Sequence, residues 1–541
     1  MKQRLHQRPG KVATSLAAAA FPLLAPLGAH ALEWNNGDGL SLDLDTTLAY
    51  SVARRMESPS AVLLTGNPII GPNADDGNRN FDKGDLTTNR FTAVTDLNLN
   101  HQDYGGVFVR GRAWYDFVYA GDPASGNAST TGTCNRATGS CATFSDAVED
   151  YHKKRAEILD AFVYTDFNLP SDSNLSLRAG RQVISWGESM FLHGGISAAQ
   201  NPLDVSKLNI PGTELKEAFL PQESARALLT LTPSLSLEGY YRWGYQRSRI
   251  DAPGSYMGTA DFVGEGAERV LIPVGPGIFA RLPVVSQEPD NEQGYGVAVR
   301  YLADWLNSTE FGLYHINYDD TLPSVQLLPA VFGPRLVIDY FEDVKLYGAS
   351  FGTTIGDTNV SGEVNYRDGQ PVQLAIPGAF YYAPARTVQA QASVIHVFGP
   401  SSMWDNLSFI GEVGWNYVVG IDDPRRLVNR STEEALDNDR SAWGFIASVK
   451  GEWYNVYQGV NLTVGSTYRQ DVRGKSAVPF TFTEGVKQLS LAAELTYNQY
   501  SAELRYTNYL TNPSDIGGAK LELAHLNADR DFLSLILKYR F

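Results

Sequence analysis

The chain ends in the stretch DFLSLILKYRF, residues 531–541, in which apolar and polar side chains alternate. In an extended strand, successive side chains point to opposite faces. One face takes Leu533, Leu535, Leu537, Tyr539 and Phe541, and the other takes Ser534, Lys538 and Arg540. A strand of this kind is either half-buried in a soluble sheet, or it has lipid on its apolar face and water on its polar face.

The same alternation recurs along most of the chain. It is clear in LSLDLDTTLAY (40–50), VFVRGRAWYDFVY (107–119), LSFIGEVGWNYVV (407–419) and LSLAAELTYN (489–498). Segments of about ten residues with one apolar face and one charged face are typical of a transmembrane β-barrel. A soluble sandwich also alternates, so the connections must separate the two folds.

The predicted strands are joined by short turns and long loops in strict alternation. The strands span 40–52, 88–101, 104–120, 155–168, 174–184, 223–231, 235–247, 293–303, 308–319, 342–355, 358–367, 386–398, 406–420, 440–454, 458–470, 487–498, 501–510 and 531–541. Short turns on one side and long loops on the other are the pattern of outer-membrane barrels. The sequence therefore predicts an all-β fold: a transmembrane antiparallel β-barrel of about 18 strands, with 16 and 14 as alternatives.

The first 31 residues predict a secretory signal peptide. Four basic residues precede a short apolar run, and small residues lead to a cleavage site after Ala31. We expect the barrel domain to span residues 32–541. Removing the signal leaves 40 basic against 60 acidic residues, a net charge of about −20. Such an acidic chain is not expected to bind nucleic acid.

The two cysteines, Cys134 and Cys141, lie in the loop sequence TGTCNRATGSCAT. In an oxidising compartment this spacing favours a local disulfide. The alternatives are a zinc pair or a redox dithiol, although the spacing is not Cys-x-x-Cys.

Several stretches resemble DUF1302, an outer-membrane family of Gram-negative bacteria. They include NFDKGDLTTNRF, LRAGRQVISWGES, NPLDVSKLNIPGTELKEAFLP and NADRDFLSLILKYRF, and they cover nearly the whole chain after the signal. The resemblance implies an outer-membrane β-barrel associated with an inner-membrane permease and a periplasmic lipid-binding-type protein. The terminal aromatic strand resembles the signal that barrel-assembly machinery recognises, so that machinery and outer-membrane lipid are expected partners.

Two groups of residues are candidate sites. The strand faces predict a lumen lined by Asp43, Asp45, Asp96, Arg110, Arg112, Asp116, Arg178, Glu412, Arg469, Glu494, Arg505 and Lys538. The loop 185–222 is too apolar to extend into water, and we expect it to fold into this lumen. Loops 268–285, 322–341 and 372–385 are also apolar and are predicted to form a surface where solutes enter, through Ile278, Phe279, Leu327, Leu328, Phe332, Phe380, Tyr381 and Tyr382. The alternative is that these loops only pack on one another as a lid.

Two functions fit these features. The first is an outer-membrane channel, porin-like, for small hydrophobic or amphipathic solutes, working with an inner-membrane exporter system. The second is a plugged, non-conducting protein that uses its apolar extracellular loops for binding or assembly. No residue pattern indicates catalysis, a cofactor or a metal site, so an enzyme is not expected.

Overall fold

A computed structural model describes residues 32–123, 128–137, 140–170, 173–290, 293–328, 333–376, 379–422, 431–516 and 522–541. The predicted signal peptide lies outside these residues. The strands are β1 (Leu32–Asn35), β2 (Leu40–Arg55), β3 (Leu86–His101), β4 (Gly105–Asp116), β5 (Lys154–Leu169), β6 (Ser173–Gln182), β7 (Gln222–Thr232), β8 (Leu235–Arg242), β9 (Arg269–Gly275), β10 (Ile278–Gln287), β11 (Gly294–Ala303), β12 (Thr309–Tyr318), β13 (Ser324–Leu328), β14 (Arg335–Asp339), β15 (Val344–Ile355), β16 (Thr358–Ile376), β17 (Ala379–Val397), β18 (Asn406–Ile421), β19 (Ser441–Tyr457), β20 (Val460–Arg473), β21 (Lys487–Tyr497), β22 (Tyr500–Asn508) and β23 (Phe532–Arg540).

Eighteen of these strands form one closed antiparallel barrel. The ring runs β2 to β8, then β11, β12 and β15 to β23, and β23 pairs with β2 to close it. At the seam, the backbone of Phe541 exchanges hydrogen bonds with Thr46, at 2.9 and 2.6 Å. The short β1 pairs with β2 where β23 has ended. The predicted barrel and its count of 18 strands are confirmed.

The connections alternate between short and long around the ring. The turns after β7, β15, β19 and β21 have two residues each, whereas the connections after β4, β6 and β8 each exceed 30 residues. Residues 372–385 are an exception to the predicted loops. Residues 372–376 and 379–385 extend β16 and β17 as a hairpin beyond the predicted strand ends, in a register that continues to Ile376↔Ala379.

The predicted strand 104–120 ends earlier than expected, at Asp116. The carboxylate of Asp116 accepts the backbone N–H groups of Asn89 and Val118, at 3.0 and 3.1 Å. The Asp116 side chain therefore bonds to the backbone and favours a turn where the β4 strand would otherwise continue.

The helices are short and lie in the connections. They span Ala61–Thr65, Asp76–Arg79, Ala128–Thr131, Asp146–Val148, Val205–Leu208, Leu215–Ala218, Thr432–Ala435 and Pro513–Ile516, with 3₁₀ turns at Gly71–Asn73, Val118–Ala120, Ile196–Ala199 and Leu523–His525 and a π turn at Glu149–Lys153. Within the described residues, no helix has the length and apolar character needed to cross a membrane.

The outward face of the barrel is apolar. Exposed outward side chains include Val107, Val163, Val297, Leu313, Val413, Val464, Leu491, Leu504 and Leu535. Aromatic residues flank this band at the short-turn end, where Tyr104, Trp305 and Tyr457 are each more than 70% exposed. An apolar belt with aromatic residues at its rim is the surface that a membrane requires.

The long loops build a cap on the other end of the barrel. Strands β9, β10, β13 and β14 form a separate four-stranded sheet, in which β10 and β14 are parallel. A second apolar cluster lies beside the β16–β17 hairpin and includes Val372, Leu374, Leu436 and Val478. Buried apolar surface thus lies in the cap, and also inside the barrel, where Trp186 and Ile196 of the β6–β7 connection pack against Tyr314 and Leu346 of the wall.

The register makes a prediction about lipid contact. Leu491 points outward from the middle of β21 and is 45% exposed, whereas Thr496 on the same strand points inward. We expect Leu491→Arg to cost roughly 2–4 kcal/mol in the free energy of unfolding, because it places a charge in lipid. Thr496→Arg is expected to be tolerated. Urea unfolding of both variants in lipid vesicles measures the difference, and equal stability of the two would contradict the register.

Candidate functional site

The connection between β6 and β7, residues 183–221, lies inside the barrel, and we call it the inward segment. This location was predicted from its apolar character. The segment bonds to the inner wall in three places, each on a different group of strands. These three attachments, and the space they leave, define the candidate site.

The first attachment is centred on Glu412 of β18, which is 3% exposed. Its carboxylate accepts three consecutive backbone N–H groups of the inward segment, from Met190 (3.0 Å), Phe191 (2.7 Å) and Leu192 (2.9 Å). Hydrogen bonds to an ionised acceptor contribute about 1.5–3 kcal/mol each. Glu412, predicted to line the lumen, therefore holds the inward segment.

Glu363 of β16 binds the same part of the segment in the same way. Its two carboxylate oxygens accept the backbone N–H groups of Glu188 (2.5 Å), Ser189 (3.1 Å) and Ile196 (2.7 Å). Two wall carboxylates thus satisfy six backbone donors of a segment that has no regular secondary structure between residues 187 and 195.

The carbonyl groups of this part of the segment bond to donors on β16 and β17. Gln391 donates to the carbonyl of Leu192 (2.9 Å), Gln389 to His193 (2.7 Å), Asn365 to Gly194 (3.2 Å) and Arg367 to Gly195 (2.8 Å). Gly194 has a φ of +96°, and a Cβ there would overlap with the side chain of Gln389. The segment therefore lies directly against the wall.

The second attachment is an ionic network around Arg112 of β4. Its guanidinium contacts Glu157 of β5 at 2.7 Å and Asp204 of the inward segment at 2.8 Å, and it also donates to the carbonyl of Glu217. Arg249 binds Glu157 at 2.8 Å from the loop above. Removing one partner would leave buried charges uncompensated, which typically costs 3–5 kcal/mol.

Lys207 adds a cation–π contact to this attachment. Its ammonium nitrogen lies 3.4 Å from the centroid of the Trp114 ring, and the residue is only 3% exposed. Burial, followed by the nearby Arg90, lowers the pKa of Lys207 well below its ordinary value. No hydrogen-bond acceptor reaches Nζ within the described part of the chain, so the aromatic face is its main partner there.

The third attachment joins the segment to the seam of the barrel. Ser51 of β2 donates to the carbonyl of Pro211 at 2.9 Å. Glu214 pairs with Lys538 at 3.5 Å and with Arg540 at 2.9 Å, both on β23. The segment thus crosses the lumen and contacts opposite parts of the wall.

A cavity of about 430 Å³ remains between the segment and β19 to β23. Its lining combines charged groups with apolar ones. The charged residues are Arg469, Glu494, Glu503, Arg505 and Lys538, and the apolar residues include Phe191, Leu208, Ile210, Ile446, Phe532 and Ile536. Phe191 and Leu208 of the inward segment are 49% and 55% exposed toward this space. A volume of this size is in the range of small-molecule sites.

The twelve residues predicted to line the lumen fall into two groups. Arg469, Glu494, Arg505 and Lys538 line this cavity. The others contact neighbouring wall residues or hold the segment. In the wall, Arg110 pairs with Asp96 at 2.7 Å, Asp116 pairs with Arg90 at 3.3 Å, Arg178 lies over the Phe162 ring, Asp43 accepts from Asn98 and Asp45 lies opposite Asp96. Arg112 and Glu412 bind the segment. A role in transport stays a prediction for all twelve.

Sequence reasoning missed the amide donors Asn365, Gln389 and Gln391. A signal for the two glutamines was present, because they share one face of β17 in the stretch TVQAQASV while valine and alanine take the other face. Their partners could not be inferred, because these are backbone carbonyls almost 200 residues away.

The eight loop residues predicted to meet solutes lie in the cap. Ile278 is 62% exposed at the tip of the β9–β10 hairpin, and Phe279 follows it. Leu327, on β13, packs in the apolar cluster of the four-stranded sheet. Tyr381 packs against the second apolar cluster, and Tyr382 is half-buried. Phe332 and the side chains of Leu328 and Phe380 lie outside the described residues. Whether these loops bind solutes stays a prediction.

Cys134 and Cys141 form a disulfide in the cap, with their Cα atoms 5.8 Å apart. This bond closes a short loop between β4 and β5. A carboxylate of the β2–β3 loop, on Asp76, lies 3.4 Å from Sγ of Cys141.

Comparison with protein families gives one match over nearly the whole chain. Residues 12–541 match the model of the family described as "Protein of unknown function (DUF1302)". The chain belongs to the DUF1302 family. The resemblance stated from the sequence is thereby confirmed. No curated protein matches this DUF1302 chain.

Solved structures similar to this DUF1302 protein include an outer-membrane channel. OccAB1 of Acinetobacter baumannii is 10% identical, with 95% of this chain and 98% of that chain covered and a TM-score of 0.43. OccK2 (OpdF) of Pseudomonas aeruginosa in complex with glucuronate is 11% identical, with 92% and 98% covered and a TM-score of 0.37. The outer-membrane channel DcaP of Acinetobacter baumannii is 11% identical, with 94% and 99% covered and a TM-score of 0.36. At these values they carry no argument about solutes.

The first attachment can be tested through Glu412. Glu412→Gln keeps the size of the side chain but replaces three charge-assisted hydrogen bonds with neutral ones, and its NH₂ group faces N–H donors. We expect residues 190–192 of the inward segment to loosen from β18, so that single-channel recordings in planar bilayers show larger and more variable conductance than wild type. Glu33→Gln, an exposed carboxylate on β1, is the control. Identical traces for wild type and Glu412→Gln would show that Glu412 does not hold the segment.

Proposed function

We propose that the protein is an outer-membrane channel for small amphipathic or hydrophobic solutes. The observation that carries this proposal is the cavity between the inward segment and β19 to β23, because the segment lines it with apolar side chains, whereas the wall adds charged side chains to a few apolar ones. A solute with an apolar body and a polar group would match both sides. Burying apolar surface against Phe191, Leu208 and Ile210 would favour such solutes by about 25 cal/mol per Å².

The charges of the cavity support weak discrimination between ions. Arg505 pairs with Glu503 at 2.7 Å, Arg469 with Asp471 at 3.3 Å and Lys538 with Glu214 at 3.5 Å. Each basic group thus has an acidic neighbour, so neither sign of charge dominates. Selection by apolar contact is then more effective than selection by net charge.

A plugged, non-conducting protein is the second candidate function. The three attachments of the inward segment favour it, because they fix the segment across the lumen. Single-channel recording separates the two candidates. Conductance of the wild-type protein supports the channel, whereas no conductance even after deletion of residues 190–218 leaves only the binding or assembly function.

We also propose the cellular setting that the family resemblance implies. The chain would be exported through its signal peptide, inserted by barrel-assembly machinery, and would act with an inner-membrane permease and a periplasmic lipid-binding-type protein. Co-purification of the tagged barrel with a periplasmic protein tests this association, and purification of the barrel alone under crosslinking would count against it.

Ion selectivity gives a test of the cavity as the conducting path. Arg505→Gln removes one positive charge and leaves Glu503 and Glu494 beside the path, so we expect the permeability ratio of K⁺ to Cl⁻ to rise. The reversal potential in a KCl gradient measures this change. Arg386→Gln is the matched control, because it removes an ion-paired arginine (2.9 Å from Asp422) that does not line the cavity. An unchanged ratio in Arg505→Gln would place the conducting path elsewhere.

A further test addresses the apolar loops. Ile278→Ser combined with Phe279→Ser removes apolar surface at the tip of the β9–β10 hairpin. If solutes bind this surface before they enter, flux of apolar compounds into vesicles containing the barrel should fall while ion conductance stays unchanged. A parallel fall of flux and conductance would show that the loops act as a structural lid. No change in flux or conductance would show that the loops take no part in transport.

A further inference from the structure

Three aspartates lie together inside the cap, away from the lumen cavity. Asp75 and Asp76 belong to the loop between β2 and β3, and Asp261 belongs to the loop between β8 and β9. One carboxylate oxygen from each lies within 4.8 Å of the others, and the three residues are 1%, 3% and 1% exposed. Buried carboxylates in such proximity repel one another unless a proton or a cation lies between them.

The hydrogen bonds around the cluster leave at least one oxygen of each aspartate without a donor. Asp75 Oδ2 accepts from Arg79 and from Thr133 at 2.8 Å, and Asp261 Oδ2 accepts the backbone N–H of Asp76 at 3.2 Å. The Oδ1 atoms of Asp75, Asp76 and Asp261 are buried, and within the described residues none of them has a hydrogen-bond partner. Buried polar atoms in folded proteins nearly always have a partner, so three such oxygens at one place indicate a missing ligand.

We infer that Asp75, Asp76 and Asp261 form a binding site for a divalent cation, of which calcium is the best match. The donors are hard carboxylate oxygens, which calcium and magnesium both prefer. Calcium is favoured because it accepts irregular oxygen geometry, whereas magnesium requires a nearly octahedral arrangement. The cluster contains neither histidine nor a free thiol among its ligands, so it lacks the nitrogen and sulfur donors that favour zinc.

The arginines near the cluster already have hydrogen-bond partners. Arg79 pairs with Asp75, the guanidinium of Arg136 donates to the carbonyls of Ser140 and Thr143, and Arg530 donates to the carbonyl of Tyr256. These arginines reduce the repulsion without supplying a donor to the three Oδ1 atoms. A bound cation would complete the neutralisation.

The cation would join three loops of the cap. Asp75 and Asp76 come from the first loop and Asp261 from the β8–β9 loop, while Thr133 and Cys141 bring the disulfide loop against the same carboxylates, at 2.8 and 3.4 Å. The site is therefore structural, and its occupancy would set how tightly these loops hold together. In the sequence, the adjacent pair Asp75 and Asp76 suggests calcium but lacks an EF-hand-like spacing, which is why no metal site is predicted there.

The alternative is that protons, without a metal, neutralise the cluster. Burial, followed by the charge of Asp75, raises the pKa of Asp261 to about 8. Burial, followed by the charges of Asp261 and Asp75, raises that of Asp76 well above its ordinary value. A cluster that protons neutralise would bind no calcium at neutral pH, so direct binding measurements separate the two.

The experiment uses the full-length protein in detergent micelles, treated with EDTA and then dialysed. Isothermal titration calorimetry with CaCl₂ should show one saturable site per chain, with weaker binding of MgCl₂. Asp76→Asn and Asp261→Asn, which preserve side-chain size, should both lose this site. Asp38→Asn, an exposed acidic residue in the turn between β1 and β2, should retain it, and circular dichroism should show the same β-barrel spectrum for all four proteins.

Thermal unfolding gives a second readout. Calcium should raise the melting temperature of the wild type and of Asp38→Asn, and should leave that of Asp76→Asn and Asp261→Asn unchanged. Absence of saturable calcium binding to the wild type would overturn the proposal. Equal calcium binding by all variants would also overturn the proposal, because the measured heat would then come from the acidic surface in general.

Discussion

The structure depends on the pairing of the first and last barrel strands. In lipid, each backbone N–H and carbonyl group must find its partner within the protein, so a membrane-spanning sheet has to close on itself. Here β2 and β23 supply the last ladder, and it extends to the terminal residue, where Phe541 bonds to Thr46. The apolar alternation of the C-terminal strand follows from this position, because one face of the seam meets lipid.

A ring of 18 strands is wide enough to contain water, and this width explains the polar character of its inner wall. The inward segment partly fills the space. Since most of it has no regular secondary structure, its backbone groups need partners, and the wall supplies them through Glu363, Glu412 and the amides of β16 and β17. Many charged and amide residues of the wall thus support the segment, and the remainder line the cavity or pair with one another.

The sequence predicted the strands well because alternation at period two is a local signal. It failed for residues 372–385, in which Pro377, Pro384 and a largely apolar composition indicated a loop. In the structure Pro371 and Pro384 face each other across the β16–β17 ladder, and the apolar side chains pack into the cap. The roles of Glu363 and Glu412 were beyond prediction, because their partners are backbone N–H groups at least 167 residues away. The pair Asp75 and Asp76 is visible in the sequence, but the third member of the cluster, Asp261, lies 185 residues from Asp76 and could not be joined to it.

The cap and the inward segment differ in the balance of apolar and polar contacts that hold them. The cap has apolar clusters, a disulfide and its own sheet, so it loses much buried apolar surface if it opens. The inward segment is held by hydrogen bonds and ion pairs, whose net contribution falls when water replaces a partner. It is also held by an apolar cluster, in which Ile184, Trp186 and Ile196 pack against the wall. Phe191 and Leu208 are exposed beside the cavity. The cavity side of the segment, at Phe191 and Leu208, lies apart from the apolar cluster around Trp186, so we expect this side to move more readily than the cap.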